Sequence, residues 1–241
     1  MKLLTTSPAL AKGFSTVEVA PTEGVMTLQG AINKSALLLL ILAVSAAGAT
    51  QLSVSVLLAP VLIALVLSLV TTFRPNLAPK TSIPYAVCQG AVVGLISKIY
   101  AEQYGGGLIV FAVGVTVAIV AALLAVYRTG LIPVTKNYYL GVAAATFGVG
   151  LYYLAAIIFG AFGIQVPLVA STSNWGIGFS VLVVLIAAAK LVIDFDFIEK
   201  GAERGLPSYM EWFAAFGLLV TLVWLYLDIL RLLAKLQSRR D

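Results

Sequence analysis

Seven stretches of this chain are long and apolar enough to cross a lipid bilayer, and that feature decides most of what it can fold into. A spanning helix needs about 20 mostly apolar residues, because each backbone N–H and C=O must find its partner within the segment across about 30 Å of hydrocarbon. The stretches are 35–49, extended on its N-terminal side, then 52–72, 83–100, 107–127, 138–162, 175–198 and 209–233. The first is short and its junction with the second, Gly48-Ala49-Thr50-Gln51, is tight; merging the two would leave six spans. Pro60 inside the second stretch predicts a kink. With 61% hydrophobic and 10% charged residues, the chain cannot cover a globular surface with polar groups. The expected fold is all-α: a polytopic membrane protein with a seven-transmembrane-helix bundle as a single domain over 31–241. A tail and interfacial lead-in over 1–30 precede it, with an interfacial helix expected near 25–34 and no cleaved signal.

The absence of histidine excludes His-based catalysis, His-ligated metals and His-type pH switching. A lone Cys88 excludes an intrachain disulfide and a Cys-cluster metal site, and its apolar surroundings read as those of a buried, inert thiol. A serine mechanism would lack a histidine base, and no aspartyl-protease-like Gly-x-Gly-Asp loop occurs, so the chain is not expected to be an enzyme or to carry a cofactor. Its net charge of +5 does not point to nucleic acid, because the basic residues sit at the ends of the spans.

Those basic residues alternate. Lys2, Lys12 and Lys34 precede the first span; Arg74 and Lys80, Arg128 and Lys136, and Lys200 and Arg204 occupy every second connection, and the connections between have none. The positive-inside pattern predicts a cytoplasmic N-terminus. The C-terminal Arg231, Lys235, Arg239 and Arg240 oppose it if the last segment crosses fully, and agree with it if that segment is re-entrant. Gly90-Ala-Val-Val-Gly94 is a small-residue patch that would let two helix backbones approach closely.

Ionisable residues at membrane depth are costly, about 2.5–3.5 kcal/mol on insertion scales, and usually face the bundle interior. Lys98, near the end of its span, is expected to snorkel to the interface. Lys190 and Asp194 are four apart and share a helix face, whereas Asp196 lies about 200° around the helix from Asp194. One of the two aspartates therefore points into the bundle and the other toward the headgroups. Asp228 sits deep in the last span with Arg231 as a neighbour, and Glu211 opens that span beside Trp212. Two acids sharing a low-dielectric site cannot both ionise cheaply, so such a pair holds a proton between its oxygens; once freed, those oxygens suit a hard cation such as Ca²⁺. A carboxyl pair tying two helices can thus act as a pH-sensitive cation gate, a reading the residues permit without selecting it.

Asp194-Phe-Asp-Phe-Ile-Glu-Lys-Gly201, Tyr209-Met-Glu-Trp-Phe-Ala-Ala-Phe-Gly217 and Trp224-Leu-Tyr-Leu-Asp-Ile-Leu-Arg-Leu-Leu233 resemble the Bax inhibitor-1 (transmembrane Bax inhibitor motif) family. Together with Pro84-Tyr85-Ala86, Gly90-Ala-Val-Val-Gly94 and Ala125-Val-Tyr127-Arg128-Thr-Gly130, they are similar to its bacterial YccA-like branch. The resemblance runs from about Lys34 to the C-terminus, with the tail outside it. It implies a bundle whose last helix is central, in a bacterial inner membrane, and a pH-sensitive Ca²⁺ leak. It also implies that an acid late in the sixth helix, here Asp194 or Asp196, hydrogen-bonds an acid in the seventh, here Asp228 by its Leu-Tyr-Leu-Asp context. A simple hairpin folding near Arg204 instead sets Ala214 and Trp212 level with Asp194 and Asp196, which makes Glu211 the rival to Asp228.

The leading expectation is a cation (Ca²⁺) leak channel or ion-coupled transporter gated by Asp194, Asp196 and Asp228, the same three forming a weak, transient Ca²⁺ site. Glu211, Lys190 and Arg231 are the alternates and partners. The other reading is a non-conducting interaction protein that modulates a membrane protease or a stress response. The lipid bilayer is a partner in both.

Overall fold

A computed structural model of the chain describes residues 24–164, 166, 168 and 171–239. Its regular structure consists of helices α1 (Leu28–Ala49), α2 (Leu58–Phe73), α3 (Ala78–Tyr104), α4 (Gly106–Arg128), α5 (Lys136–Ala161), α6 (Asn174–Glu203) and α7 (Tyr209–Gln237), with single 3-10 turns Val54–Val56 and Pro75–Leu77 leading into α2 and α3. Counted with those turns, all seven are long and apolar enough to cross a membrane. The chain is a multi-pass, all-α membrane protein. α1 and α2 are separate helices, so the six-span alternative does not hold.

Local chemistry sets the ends. Thr27, Thr135 and Ser173 cap α1, α5 and α6 by accepting from the backbone N–H groups of Gly30, Tyr138 and Gly176. Gly105, at φ +88°, breaks α3 from α4, a left-handed conformation that only glycine adopts without cost. Pro60 does not kink α2 as expected. It is the third residue of that helix, inside the first turn, where its missing N–H has no helical acceptor to lose. No separate helix covers 25–34: Leu28–Lys34 are the opening turns of α1, and Val25 forms an antiparallel bridge with Pro207. The backbone N–H of Met26 donates to Leu206 O at 2.6 Å and that of Ser208 to Gly24 O at 2.8 Å, tying the lead-in to the α6–α7 turn. Residues 1–23 of the expected tail, with Lys2 and Lys12, lie outside the described residues.

The last helix is the axis of the bundle. Of its apolar stretch 67% is buried, against 50% or less for each other span. It contributes Leu225 and Ile229, Phe216 and Leu219, and Ala214 to three separate apolar clusters, which are completed by α1, α2, α3, α4 and α6. α1 packs directly on α3. A Cβ at Gly90 would press on Leu42 O and one at Gly94 on Ala46 O, closer than any real Cβ contact, which is the close approach expected of that patch. Cys88 is half-buried beside this contact rather than enclosed. Leu62, Val66, Phe111, Phe147 and Ile157 on α2, α4 and α5 are exposed, apolar surface that suits lipid rather than water.

α7 also crosses fully. At its N-terminal end Ser208 pairs with Gly24 and Glu211 with Lys34, both beside the start of α1. At its other end Gln237 Nε2 donates to Tyr104 O at 3.2 Å and Ser238 shares a 2.8 Å hydrogen bond with the Tyr104 hydroxyl, at the far end of α3. An unbroken helix of 29 residues joins the two ends, so it is not re-entrant.

Candidate functional site

Two triangles of one design sit on the last two helices. In the first, Lys190 Nζ donates to Asp194 Oδ1 at 2.8 Å and to the Thr221 hydroxyl at 3.1 Å, and Thr221 donates to Asp194 Oδ2 at 2.5 Å. The acid and base belong to α6 and stand one turn apart, as their four-residue spacing requires; the hydroxyl comes from α7. In the second, Arg231 Nη1 donates to Asp228 Oδ1 at 2.6 Å and to the Tyr153 hydroxyl at 2.5 Å, and Tyr153 donates to Asp228 Oδ1 at 3.0 Å. Here acid and base are on α7 and the hydroxyl comes from α5. The guanidinium also stacks over the Tyr153 ring, 4.8 Å from its centroid. Each triangle thus closes a cation and a carboxylate of one helix with a hydroxyl of its neighbour, stitching α5 to α7 and α7 to α6.

The acids and their cations are buried unequally. The Asp194 side chain is 12% exposed beside a Lys190 at 31%, and Asp228 is 3% beside an Arg231 at 30%. Asp228 Oδ2 is buried without a hydrogen-bond partner among the described residues; Trp224, one turn earlier, stands near the carboxyl without completing a bond to that oxygen. An acceptor left alone in an apolar bundle is expensive, and so marks a place where another donor or a cation would be welcome.

The other two acids are placed differently. Asp196 pairs with Lys200 on its own helix at 2.8 Å, toward the end of α6. Glu211 is a clasp between helix starts: Oε1 accepts from Thr27 N at 2.7 Å and Thr27 Oγ1 at 2.9 Å, and Oε2 pairs with Lys34, whose ammonium also lies over the Trp212 ring. A carboxylate there meets the positive end of α1. A Cβ on Gly30 would fall onto this carboxylate.

The expected carboxyl–carboxyl contact is not formed. Neither Asp194 nor Asp196 bonds Asp228 or Glu211, because each of the four acids already has a basic partner. The register explains it. Asp194 lies level with Thr221, and Asp228 is seven residues further along α7 and Glu211 ten residues back, which is about 10 Å and 15 Å of helix. For the same reason Asp194, Asp196 and Asp228 do not assemble the weak Ca²⁺ site expected of them; no group of three or more acids able to hold a metal occurs among the described residues.

The sequence reading missed four residues: Thr221 and Tyr153, Thr27 and Lys235. Hydroxyls in apolar helices carry no spacing signal that separates a clasp from an ordinary back-bond. Lys235 was counted with the basic C-terminal end, yet it is 5% exposed and turns inward, where its ammonium donates to Leu168 O, Ser180 Oγ and Gly176 O at 2.7–3.0 Å. Lys98 reaches the end of its span and donates to Leu52 O at 3.0 Å, a snorkelling lysine that closes the α1–α2 turn.

A family model described as Bax inhibitor 1 like matches residues 7–238, and so extends into the tail that was expected to lie outside the resemblance. No curated protein matches the chain.

Proposed function

The chain belongs to the Bax inhibitor 1 like family, and on that premise we propose that it is a cation leak, for Ca²⁺ first, or an ion-coupled transporter, whose passage is governed by protonation of Asp194 and Asp228. The observation that carries this reading is the unequal burial within the two triangles. Each carboxylate is fixed inside the bundle, whereas its cation is about one-third exposed and sits on a long side chain that can withdraw toward the headgroups. A permeant cation would take the place that Lys190 or Arg231 vacates. A proton on the carboxyl would remove the charge that holds either cation and weaken the tie to Thr221 or Tyr153. The gate is therefore two acid–base–hydroxyl triangles rather than one acid pair, and Asp196, neutralised by Lys200 at the end of α6, stands outside it. No catalytic step and no resident cofactor belong to this proposal. We place the protein in a bacterial inner membrane on its resemblance to the YccA-like branch, and its N-terminus in the cytoplasm on the alternation of basic connections.

A pH-stepped Ca²⁺ flux assay on the protein in liposomes tests it. Wild type should pass Ca²⁺ at a rate that changes with pH; Asp194→Asn and Asp228→Asn should alter that dependence and Asp196→Asn should leave it. Absence of flux in wild type at every pH would overturn the reading. The pairing of all four acids with cations favours one rival, a non-conducting interaction protein that modulates a membrane protease or a stress response. Such a protein would pass no Ca²⁺ and would lose its effect through substitutions on its outer surface.

A further inference from the structure

At the end of the bundle that holds the Glu211 clasp, the starts of α1, α3 and α7 leave a cavity of about 440 Å³ among Lys34, Asn76, Lys80, Tyr209 and Trp212. Leu77 lines this cavity and also a second hollow of about 380 Å³, formed by Leu69, Val70, Phe73 and Arg74 at the end of α2. A chamber of mixed polar and apolar lining thus adjoins an apolar one. The charge around them is unbalanced. Lys34 is neutralised by Glu211, but Lys80 and Arg74 are exposed and have no ion-pair partner among the described residues. Tyr209 and Trp212 supply the amphipathic rings that settle at headgroup depth.

We propose that the two hollows together bind one anionic phospholipid, its headgroup phosphate held in the first chamber by Lys80 with Arg74 at the margin, and an acyl chain lying in the hollow between Leu69 and Phe73. Each half of the molecule answers one observation. Two uncompensated cations at a bundle end attract an anionic headgroup and disfavour a zwitterionic one, whose quaternary ammonium would face them. The apolar hollow has no use for a soluble phosphate, and it continues the face of α2 on which Leu62, Val66 and Leu69 are already exposed. The site lies beside the Lys34–Glu211 pair, so a bound lipid would also brace the clasp between α1 and α7. This inference does not depend on ion passage and stands or falls separately from it.

Thermal unfolding of the full chain in neutral detergent, titrated with phosphatidylglycerol, with phosphatidylcholine of the same chains and with glycerol 3-phosphate, tests it. Phosphatidylglycerol should raise Tm saturably and at lower concentration than phosphatidylcholine, and glycerol 3-phosphate should have little effect. Lys80→Ala and Arg74→Ala should each weaken apparent phosphatidylglycerol affinity about fivefold, the worth of one basic residue at a membrane surface. Both side chains are exposed, so the variants should fold; lipid retained on the intact protein, read by its mass, gives the same comparison without heating. Equal responses to the two lipids, unchanged by either substitution, would overturn the proposal. So would a response to glycerol 3-phosphate matching that to phosphatidylglycerol, which would make this a site for soluble phosphate.

Discussion

Thr221 gives its one hydroxyl proton to Asp194 across the α6–α7 interface at 2.5 Å while accepting from Lys190 at 3.1 Å, so it joins the two charges as well as the two helices. A second acceptor, Gly217 O at 3.1 Å, competes for that proton from within α7 and is the longer contact. Replacing the hydroxyl by a methyl keeps the shape and removes both roles. Thr221→Val should therefore cost about 1–3 kcal/mol, the penalty of leaving a buried carboxylate oxygen short of a donor, whereas Thr221→Ser should cost far less. Thermal unfolding of the three proteins in one detergent checks it, and equal Tm for Val and wild type would deny the clasp.

Asp228 and Arg231 predict an asymmetry. Removing the base strands a carboxylate that is 3% exposed, whereas removing the acid strands a guanidinium that is 30% exposed and can swing toward the interface. Arg231→Met should thus destabilise by about 3 kcal/mol or more, and Asp228→Asn by clearly less. The double variant should recover much of the Arg231→Met loss, since no charge is then left alone. A double-mutant cycle in chemical or thermal unfolding reads all three.

The length and apolarity of the spans made the seven helices legible in the sequence, and local spacing made the Lys190–Asp194 and Asp228–Arg231 pairs legible too, since each lies within one helical turn. What spacing could not supply was the register of α6 against α7. That offset depends on how the 204–208 turn folds over the 24–27 segment, a contact about 180 residues apart in sequence. The hairpin estimate set Ala214 opposite Asp194, but Thr221 stands there, and a shift of seven residues is two turns, enough to exchange an acid for a hydroxyl. Lys235 was misread because the positive-inside rule counts charges near span ends without saying which of them turn inward.

Glycines divide by what lies over them. On α3 a Cβ at Gly94 would collide with the backbone of Ala46, which cannot move without shifting α1, whereas Gly148 on α5 has nothing within 4 Å. Gly148→Ala should be neutral or stabilising by up to about 1 kcal/mol through helix propensity alone. Gly94→Ala gains the same propensity and should still lose about 1–3 kcal/mol to overpacking. Opposite signs in Tm for the two identical substitutions are the expected result, and matching signs would place the α1–α3 contact further apart than described.

Tyr153 gives the most local forecast. α5 packs on α6 but is otherwise the least enclosed of the helices beside α4, with Val149 its one buried residue. Its polar tie to the central helix is the Tyr153 hydroxyl, which accepts from Arg231 and donates to Asp228. Tyr153→Phe removes both bonds and keeps the ring under the guanidinium, so global stability should fall by only about 1 kcal/mol. The larger effect should be local, because an element with few buried contacts opens on its own when its tie is cut. Amide hydrogen exchange should quicken across Lys136–Ala161 and stay unchanged in α1 and α3. Tyr153→Leu, which also removes the stacked ring, should quicken it further. Uniform exchange rates across all seven helices in both variants would show that α5 is held to the bundle without the Tyr153 tie, by its other contacts with α6.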